Sequence, residues 1–537
     1  MDRKTMARLL EATADLMEVL GENPFRARAY RRAAQSLERY AGNLGDLANR
    51  GFTGLAGVGP GIAAALQEIY LTGNLSYLDE LRAALPPDLL ALFGIEGLGP
   101  KRIRALYQAG VTSLNDLQAQ ARAGAIRELP GFGAKSEENL LRAVETVLAW
   151  RGRVLLPEGR ARAELIRADL EHFGLPTYLA GSLRRGLETA GSLDFVVIGT
   201  PETTAQALGV YYRKTLPGSL PLVLGEYQGL EVKVFCTSAN KLGPTLIRAT
   251  GSADFVASLG QLPEVASEEE VFTALGLPYY PPYFREPEHI GLSPLLRPIE
   301  QTDLKGILHV HSLYSDGVNS IAELAQAAIE AGYSYLGISD HSQSAGYAGG
   351  MSPERVREQW QEIDRLNSEL NPFLILKGIE SDILASGELD YPDELLAGFD
   401  FVIGSLHSRF HLTETEQTQR VLRALENPYL TIWGHPSARL LLSRKEVALD
   451  WGTVLGKAAE QGVVVELNCN PYRLDLDWRL ALAWRERLRF SLGPDAHDIA
   501  GFADLDYGLL MANKAGLSPD RVINCHTPQA LSRTYTG

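Results

Sequence analysis

The residues best suited to catalysis are concentrated in the C-terminal part of the chain, where eight of the ten histidines follow residue 300. Together with nearby carboxylates they give nine candidates for metal ligands: His309, His311, Asp316, His341, Glu380, His407, His435, Asp495 and His497. Imidazole and carboxylate without thiolate suit zinc, manganese or iron in hydrolytic chemistry. Several ions close together can polarise a phosphoryl oxygen and lower the pKa of bound water, so the set predicts phosphoester hydrolysis.

The spacing of these residues strengthens the prediction. His309 and His311 are two apart in GILHVHS, and Asp495 and His497 repeat that spacing in PDAH, so each pair shares one face of a strand. A single His-x-His or Gly-His-Pro would be weak evidence, because histidine often only satisfies a loop carbonyl. Nine such residues after successive apolar runs favour metal binding over that structural alternative.

Short apolar runs alternate with helical segments from residue 304 onward. This alternation predicts parallel strands in an α/β barrel or sheet. The strands are expected in GILHVHS, YLGISDH, FLILKGIES, FDFVIGSLHS, LTIWGHPS, VVVELNCN and RFSLGPDAH. Their C-terminal ends meet at one end of a barrel, which places the candidate ligands around one pocket.

Residues 1–150 are predicted to be all-helical, with three Gly-apolar-Gly turns that each precede an amphipathic helix. The turn glycines are Gly57 and Gly59, Gly97 and Gly99, and Gly131 and Gly133. Three copies indicate helix–hairpin–helix units, whose backbone N–H groups hold DNA phosphate without reading sequence. A glycine cap between packed helices is the alternative for any single copy.

Positive charge accompanies these turns. Lys101 and Lys135 lie two residues after the second glycine of their turns, where an ammonium can add to phosphate attraction. The segment NPFRARAYRRAAQSL adds Arg26, Arg28, Arg31 and Arg32, for which a solvated helix face is the alternative.

The middle of the chain, residues 151–240, is predicted to be a mixed α/β module, followed by a smaller one up to residue 280. Its most informative stretch is GSLRRGLETAGSLDFVVIG, where Ser192 and Asp194 share a strand face. Metal-assisted phosphoryl transfer usually needs two carboxylates there, and one position holds a hydroxyl. A proline-rich segment at 279–303 is typical of an extended linker.

The composition is that of an ordinary globular protein of about three to five domains. Net charge is −15, but residues 1–150 hold 17 basic and 17 acidic side chains, so the excess of acid lies in the later part, where cations would bind. Three cysteines form no CxxC pair and predict no disulfide framework. With no signal-peptide core and no long apolar run, a cytoplasmic protein without a membrane span is expected.

Residues 304–500 resemble the PHP (polymerase and histidinol phosphatase) family through HVHSLYSDG, SDH, GIE, SLHSRF, GHP, ELNCNPYRLDLDW and PDAH. The resemblance implies a distorted seven-stranded barrel with a trinuclear metal site. By that likeness, the first ion binds His309, His311, Glu380 and Asp495, the second binds Glu380, His407 and His435, and the third binds Asp316, His341 and His497.

The PHP resemblance also implies roles beyond the ligands. His309, His311, Glu380, His407, Asp495 and Arg409 would form the catalytic set, with manganese or zinc as the metals and iron as a further candidate. Arg409 and Arg473 are candidates for gripping phosphate, and ordinary loop arginines are an equally good interpretation. His411 and His526 match no ligand position and are interpreted as structural or solvated.

The chain as a whole resembles the bacterial X-family DNA polymerases with a C-terminal PHP domain, because NPFRARAYRRAA, the hairpin motifs, GSLRRGLETAGSLDFVVIG, LGLPYYPP and the barrel motifs occur in that family's order. The resemblance implies a DNA-end-binding domain at 1–85, fingers at 86–150, a palm at 151–240, a thumb at 241–282, a linker at 283–303 and a PHP phosphoesterase domain at 304–537. It also implies binding of gapped, nicked or 3′-end DNA and a 3′–5′ exonuclease in the barrel.

Departures from this family pattern lie in the palm and the first hairpin. Of three aspartates that hold two magnesium ions in the family, only Asp194 remains, while Ser192 and Lys233 occupy the other places, so palm magnesium is in doubt. Glu231, on the same strand face as Lys233, is conceivable as a displaced carboxylate. The remnant of the nucleotide cradle is Gly181, Ser182, Arg184 and Asp194. Ala65 occupies the position of a Schiff-base lysine, so no lyase activity by that route is expected.

Three hypotheses remain. The first is a metal-dependent DNA 3′-end phosphodiesterase whose polymerase activity is lost or weak. The second is an active gap-filling polymerase with a 3′–5′ exonuclease. The third is a non-catalytic scaffold at DNA ends. Nucleotide binding by the palm stays open in all three.

Overall fold

The structure is a computed structural model that describes residues 3–38, 40, 42, 44–55, 57–95, 97–209, 212–216 and 222–527. It divides into two compact units, Met1–Arg151 and Gly152–Gly537. A search of the described residues finds no helix with the length and apolar character needed to cross a bilayer.

The first unit is built from helices around one apolar core that includes Leu10, Met17, Leu66 and Ile103. The helices are α1 (Arg3–Leu20), α2 (Pro24–Glu38), α3 (Leu44–Asn49), α4 (Pro60–Thr72), α5 (Ser76–Ala83), α6 (Pro100–Gln108), α7 (Leu114–Arg122) and α8 (Ala134–Trp150). Two 3₁₀ turns, Pro87–Gly94 and Ile126–Glu128, precede the second and third glycine turns.

The glycine turns start helices α4, α6 and α8. The second glycine of each turn, Gly59, Gly99 or Gly133, is the residue that caps the helix N-terminus. The first glycines, Gly57, Gly97 and Gly131, have φ values of 76°, 80° and 85°. Only glycine adopts this left-handed region without steric cost, which explains the repeated Gly-apolar-Gly pattern.

The second unit begins with a mixed α/β module whose five-stranded sheet has the order β2-β4-β7-β6-β5. The strands of the module are β1 (Val154–Leu155), β2 (Thr177–Leu179), β3 (Thr189–Ala190), β4 (Ser192–Ile198), β5 (Tyr212–Leu216), β6 (Leu222–Tyr227) and β7 (Leu230–Thr237). Strands β1 and β3 pair with each other in a separate two-stranded sheet. Its helices are α9 (Leu156–His172), α10 (Gly181–Arg184), α11 (Pro201–Leu208), α12 (Leu242–Thr250), α13 (Ala253–Ser258) and α14 (Glu268–Ala274).

The C-terminal part of this unit is a nearly closed barrel of seven parallel strands in sequential order. The strands are β8 (Gly306–Val310), β9 (Tyr335–Ile338), β10 (Leu374–Asp382), β11 (Phe401–Ser405), β12 (Ile432–Trp433), β13 (Val464–Asn468) and β14 (Phe490–Gly493). Helices on the connections are α15 (Ile321–Glu330), α16 (Pro353–Leu370), α17 (Asp393–Leu396), α18 (Glu414–Leu425), α19 (Trp451–Gln461), α20 (Trp478–Trp484) and α21 (Leu505–Lys514).

A single parallel bridge between Val310 and Ala496 joins the first and last strands of the barrel. The His311 amide donates to the Ala496 carbonyl at 2.9 Å beside it. This contact brings HVH and PDAH, which are nearly 190 residues apart in sequence, to the same point. The predicted fold of helical hairpins, an α+β middle and a PHP-like barrel is therefore confirmed.

The proline-rich segment packs against the barrel, unlike the extended linker that its composition suggested. His289 is fully buried, with its ring stacked between Phe284 and Trp478 at centroid distances of 3.9 and 5.1 Å. Buried Lys514 of α21 donates to Glu286 and to the Arg185 carbonyl, both at 3.0 Å. The mixed module, this segment and the barrel are thereby joined by buried charged contacts.

Candidate metal centre

The nine predicted ligands converge at the C-terminal end of the barrel strands. Four groups of ligand atoms lie close enough together to hold an ion: His311 with Asp316, His341 and His497; His309 with Glu380 and His435; His309 with His311 and Asp495; and His341 with Glu380 and His407. Six of the nine side chains are buried. Charged groups are buried in proteins only when they are paired or bound to metal.

Glu380, on β10, is the centre of the cluster. Its carboxylate lies within 4 Å of five imidazoles: His435 (2.9 Å), His341 (3.0 Å), His407 (3.3 Å), His309 (3.4 Å) and His311 (3.7 Å). A carboxylate reached from so many sides can bridge two ions. The bridging place that the PHP resemblance gave to Glu380 fits this geometry.

A second carboxylate, Asp495, lies close to two of the five histidines that surround Glu380. Its Oδ1 lies 3.3 Å from His311 Nε2 and 3.6 Å from His309 Nε2. Asp316 closes the outer group, 3.4 Å from His497 and 3.6 Å from His341. The grouping differs from the implied one in three ways. His311 also reaches the Asp316 group, His341 also groups with Glu380 and His407, and His435 groups with His309 and Glu380 but not with His407.

Backbone strain marks several of these positions. His309, His435 and Asp495 have φ values of 66°, 23° and 53°, in the left-handed region that non-glycine residues seldom adopt. Each such residue costs on the order of 1–3 kcal/mol and persists only where its surroundings fix it. All three strained residues are candidate ligands, so the strain is concentrated at the proposed metal centre.

Buried ligand atoms without hydrogen bonds provide a test of whether metal fits. Among the described residues, His309 Nε2 and both ring nitrogens of His311 are buried and make no hydrogen bond, and the same holds for Glu380 Oε2. Such atoms are costly unless something binds them. Imidazole nitrogens and carboxylate oxygens that make no hydrogen bond have lone pairs with which to bind divalent cations. The residues present therefore suit a metal centre.

Three further buried carboxylates lie around the ligands, and two of them, Glu466 and Asp382, bond to ligand imidazoles. Glu466 of β13 accepts from His309 Nδ1 at 2.5 Å and from the His435 amide at 2.7 Å. Asp382 accepts from His407 Nδ1 at 2.7 Å. Asp340 accepts from the amide and hydroxyl of Ser312, next to His311. Partners of this kind orient a ligating imidazole and fix its tautomer.

The sequence offered only a faint signal for these supporting residues. Asp382 and Asp340 lie two residues after and one residue before a ligand, and Glu466 lies inside the quoted ELNCN motif. Acidic residues at buried strand positions were the available clue. Nothing local shows which side chain each one contacts.

The electrostatics of the cluster favour the ligand forms of its carboxyl groups. Burial opposes ionisation of Glu380, but His407, His309 and His341 hold its pKa well below the usual range. Burial also opposes ionisation of Asp495, and His309, His311 and Arg473 hold its pKa well below normal. Burial and Arg473 lower the pKa of His435 to about 4, which keeps that ring neutral and able to ligate.

The two candidate phosphate-gripping arginines are placed differently. Arg473 points its Nε at Asp495 Oδ2, 3.3 Å away. Arg409 is exposed, has a φ of 56°, and lines an open groove beside α18 and α19. His526 lies away from the ligand groups and meets the Asp520 carbonyl at 3.3 Å, and His411 belongs to none of the four groups either.

Comparisons with known proteins agree with this geometry. A helix-hairpin-helix domain model matches residues 1–75, a SAM-like helix-hairpin-helix tandem matches 89–146, and a PHP domain matches 308–468. The chain is 34% identical to the DNA polymerase/3′-5′ exonuclease PolX of Bacillus subtilis over 98% of each chain. The chain belongs to the PolX family. A probable phosphatase of Syntrophotalea carbinolica is 29% identical over 40% of the chain and 90% of its own length.

In this PolX-family chain the palm residues form an open pocket of about 520 Å³ that is lined by Gly181, Ser182, Ser192, Asp194 and Lys233, among others. Lys233 pairs with Glu231 at 2.9 Å, so the conceivable displaced carboxylate is neutralised by the lysine beside it. Burial raises the pKa of Asp194, although Ser192, Lys233 and Arg185 oppose the shift. A single carboxylate beside the ammonium group of Lys233 is a poor magnesium site.

Arg184 does not line the pocket, contrary to its predicted place in the nucleotide cradle. Its guanidinium makes two hydrogen bonds to Glu268, of 2.9 and 2.7 Å, and one to Thr250. Arg153 and Arg185 line the pocket instead. Gly181 is required there, because a Cβ at this position would lie 1.9 Å from Asp194 Oδ2.

All six glycines of the hairpin turns are exposed, and so are Lys101 and Lys135. The third turn differs, because the Gly133 amide donates to Ser136 Oγ at 3.0 Å. Arg102, which the sequence analysis missed, donates to the carbonyls of Gly97 and Gly131 and so fixes two turns together. Ala65 is buried in α4, with no amine at that position.

Proposed function

We propose that the barrel hydrolyses phosphodiester bonds at DNA 3′ ends with divalent metal ions, while the helical unit binds gapped or nicked DNA without sequence preference. The observation that supports this best is the convergence of nine ligand side chains, with one glutamate among five imidazoles. The relative from Bacillus subtilis is named as a polymerase and 3′-5′ exonuclease.

The assignment of the ligands to three ions follows the PHP resemblance. Glu380 would bridge one ion held with His309, His311 and Asp495 and a second held with His407 and His435. Asp316, His341 and His497 would hold the third. The nitrogen and oxygen donors suit manganese or zinc, with iron as a further candidate. Bound there, such ions polarise a phosphoryl oxygen, activate water and stabilise the leaving oxygen.

The chain's own residues supply orientation and charge. Glu466 and Asp382 hold the rings of His309 and His407 so that the opposite nitrogens face the pocket. Positive charge for an incoming phosphate comes from Arg473, which pairs with Asp495, and from exposed Arg409. The phosphate enters through the mouth of the barrel, the opening at the C-terminal ends of its strands. The buried ligands exclude bulk water from one side of the phosphate, and the open mouth admits the DNA end.

The palm is proposed to have lost polymerisation. Ser192 and Lys233 stand at two of the three expected carboxylate positions, and Glu231 is engaged by Lys233. The pocket keeps Ser182, Arg153 and Arg185, so it retains a surface on which a phosphate group could rest. The buried methyl of Ala65 forms no Schiff base, so no lyase activity by that route is proposed.

DNA binding is assigned to the hairpin turns. Gly57 and Gly97 are in left-handed turns at the start of helices, and Lys101 and Lys135 add exposed charge. Contacts of this type reach phosphates and carry no base information.

One labelled primer–template distinguishes the alternatives. With manganese and no nucleotides, the wild-type protein should shorten the primer, and His309→Ala and His311→Ala should abolish shortening and reduce bound metal by elemental analysis. His526→Ala is the matched control, because His526 lies outside the four groups. Unchanged resection by the two variants would contradict the assignment.

The same substrate tests the two alternatives. Primer lengthening with nucleotides that Asp194→Ala abolishes would support the gap-filling polymerase. A metal-free, inactive protein would support the scaffold.

A further inference from the structure

The exposed apolar side chains of the barrel have an unusual distribution. Within the described barrel residues 304–527, five large hydrophobic side chains are exposed: Leu313 (55%), Val318 (67%), Tyr347 (72%), Tyr472 (63%) and Ile499 (39%). Every one of them lies within six residues of a candidate ligand or immediately before Arg473. The flanks and the opposite end of the barrel carry none among those residues, so the apolar surface is restricted to the mouth of the metal centre.

Hydrogen bonds tie the segments that carry three of these side chains to one another. The Leu313 amide donates to the Asn319 carbonyl at 3.0 Å, and the Val318 amide donates to the His497 carbonyl at 2.9 Å. The Ile499 amide donates to Asn319 Oδ1 at 3.2 Å. Leu313, Val318 and Ile499 therefore form one fixed side of the mouth, around Asp316 and His497.

Tyr347 stands on the other side, over the ligands themselves. Its ring centroid lies 6.1 Å from that of His341 and 6.3 Å from that of His407. Tyr347 as a whole residue is nonetheless 72% exposed, so its side chain is accessible to a ligand.

The loop that carries Tyr347 is fixed at both ends. The Met351 amide donates to the His341 carbonyl at 2.9 Å, and the Gly350 amide donates to the Ala345 carbonyl at 3.1 Å. Ser344 Oγ donates to Asp382, the carboxylate that orients His407. Gly350 packs so closely that a Cβ there would lie 2.0 Å from the Ser342 carbonyl oxygen. A rigid loop that presents an unpacked ring is a preorganised stacking surface.

We propose that Tyr347 stacks on the terminal base of an unpaired DNA 3′ end and thereby positions the last phosphodiester at the metal centre. Tyr472, exposed beside Arg473, borders the same mouth. A base within a duplex already stacks on its neighbours and pairs with the other strand, so only a frayed, mismatched or single-stranded end can place its base on the ring. Stacking of this kind tolerates every base, because each has a π-face. The inference rests on the proposed exonuclease function and assigns to Tyr347 the positioning of the terminal nucleotide.

The test pairs two substrates with three variants. Single-stranded oligonucleotides that end either in a thymidine nucleotide or in an abasic tetrahydrofuran residue are resected by wild type, Tyr347→Ala, Tyr347→Phe and Phe173→Ala. Phe173 is an exposed aromatic residue at the end of α9, outside the barrel, and serves as the matched control. The readouts are kcat/KM for removal of the last residue and metal content by elemental analysis.

Base–aromatic stacking contributes about 1–3 kcal/mol, so wild type should remove the base-bearing residue about 5- to 150-fold faster than the abasic one. Tyr347→Ala should lose this preference by slowing only the base-bearing substrate, whereas Tyr347→Phe and Phe173→Ala should keep it. The inference is overturned if wild type shows no preference, if Tyr347→Ala slows both substrates equally, or if Tyr347→Ala loses metal. Failure of wild type to resect either substrate would instead refute the proposed function.

Discussion

Replacement of Glu466 by glutamine tests whether the metal centre depends on a carboxylate that is not itself a ligand. Glu466 is buried, with 1% of its surface exposed, and accepts three hydrogen bonds. The donors are His309 Nδ1 at 2.5 Å, the His435 amide at 2.7 Å and Asn468 Nδ2 at 3.1 Å. A carboxylate offers two acceptor oxygens to these donors, whereas a glutamine amide offers one oxygen and an NH₂ group.

The magnitude follows from this count. In Glu466→Gln the NH₂ group must face a donor on one side, which leaves buried donors without an acceptor at a cost of about 1–3 kcal/mol. The charge-assisted bond that holds the His309 ring also becomes a neutral one. Loss of such a supporting partner typically weakens metal binding about 10- to 100-fold. We expect a weakening in that range, since His309 belongs to two of the four ligand groups.

The assay is a metal titration of the purified protein. Apo protein is titrated with Mn²⁺, and bound metal by elemental analysis and 3′ resection of labelled DNA are followed together. Glu466→Gln should need about 10- to 100-fold more Mn²⁺ for half occupancy and should regain resection at high Mn²⁺. Glu460→Gln, an exposed glutamate on α19, is the matched control. Wild-type occupancy and activity in Glu466→Gln would refute the role assigned to this residue.

Three further predictions address other parts of the molecule. Gly493→Ala should displace Glu466, because its Cβ would lie 2.0 Å from Glu466 Oε1, and should weaken Mn²⁺ binding in the same titration; normal binding would contradict the packing. Lys101→Ala and Lys135→Ala should each reduce the slope of log K for DNA binding against log salt concentration by about 1, for every DNA sequence tested. The binding is measured by fluorescence anisotropy. Arg142→Ala, in which the lost side chain pairs with Glu138, should leave the slope unchanged. Burial lowers the pKa of His289 to about 4, compared with 6.5 for an unperturbed histidine. Because the unfolded chain then binds a proton that the folded protein does not, the free energy of unfolding should fall by about 2 kcal/mol from pH 7 to pH 5. Denaturant melts of His289→Gln should lack that part of the pH dependence.

The sequence located the chemistry of the barrel because its signals are local. Alternating strands and helices predict parallel strands, and polar residues after each apolar run must then lie at one end of them. That reasoning placed His309, Glu380 and Asp495 at strand ends, and the structure brings them together. The hairpin turns could be predicted equally well, because Gly-apolar-Gly before an amphipathic helix specifies a local backbone conformation. Gly97 adopts a positive φ, and Gly99 is the N-cap of the helix that follows.

Interactions between distant segments could not be obtained in this way. Arg184 belongs by motif to a phosphate cradle, yet it pairs with Glu268, 84 residues later. The proline-rich segment has the composition of a linker, yet His289 is stacked in a buried interface. In both cases the partner is chosen by packing, and composition describes only what a segment can do alone.

The sequence by itself determined which residue types stand at the barrel strand ends and which palm carboxylates are replaced, because strand periodicity and motif order are properties of the chain. Tertiary structure decided how the nine ligands divide into groups, which carboxylates support them and where exposed tyrosines stand. Those outcomes depend on closure of the barrel through Val310 and Ala496. Closure fixes distances between residues far apart in sequence, and no local pattern encodes such distances.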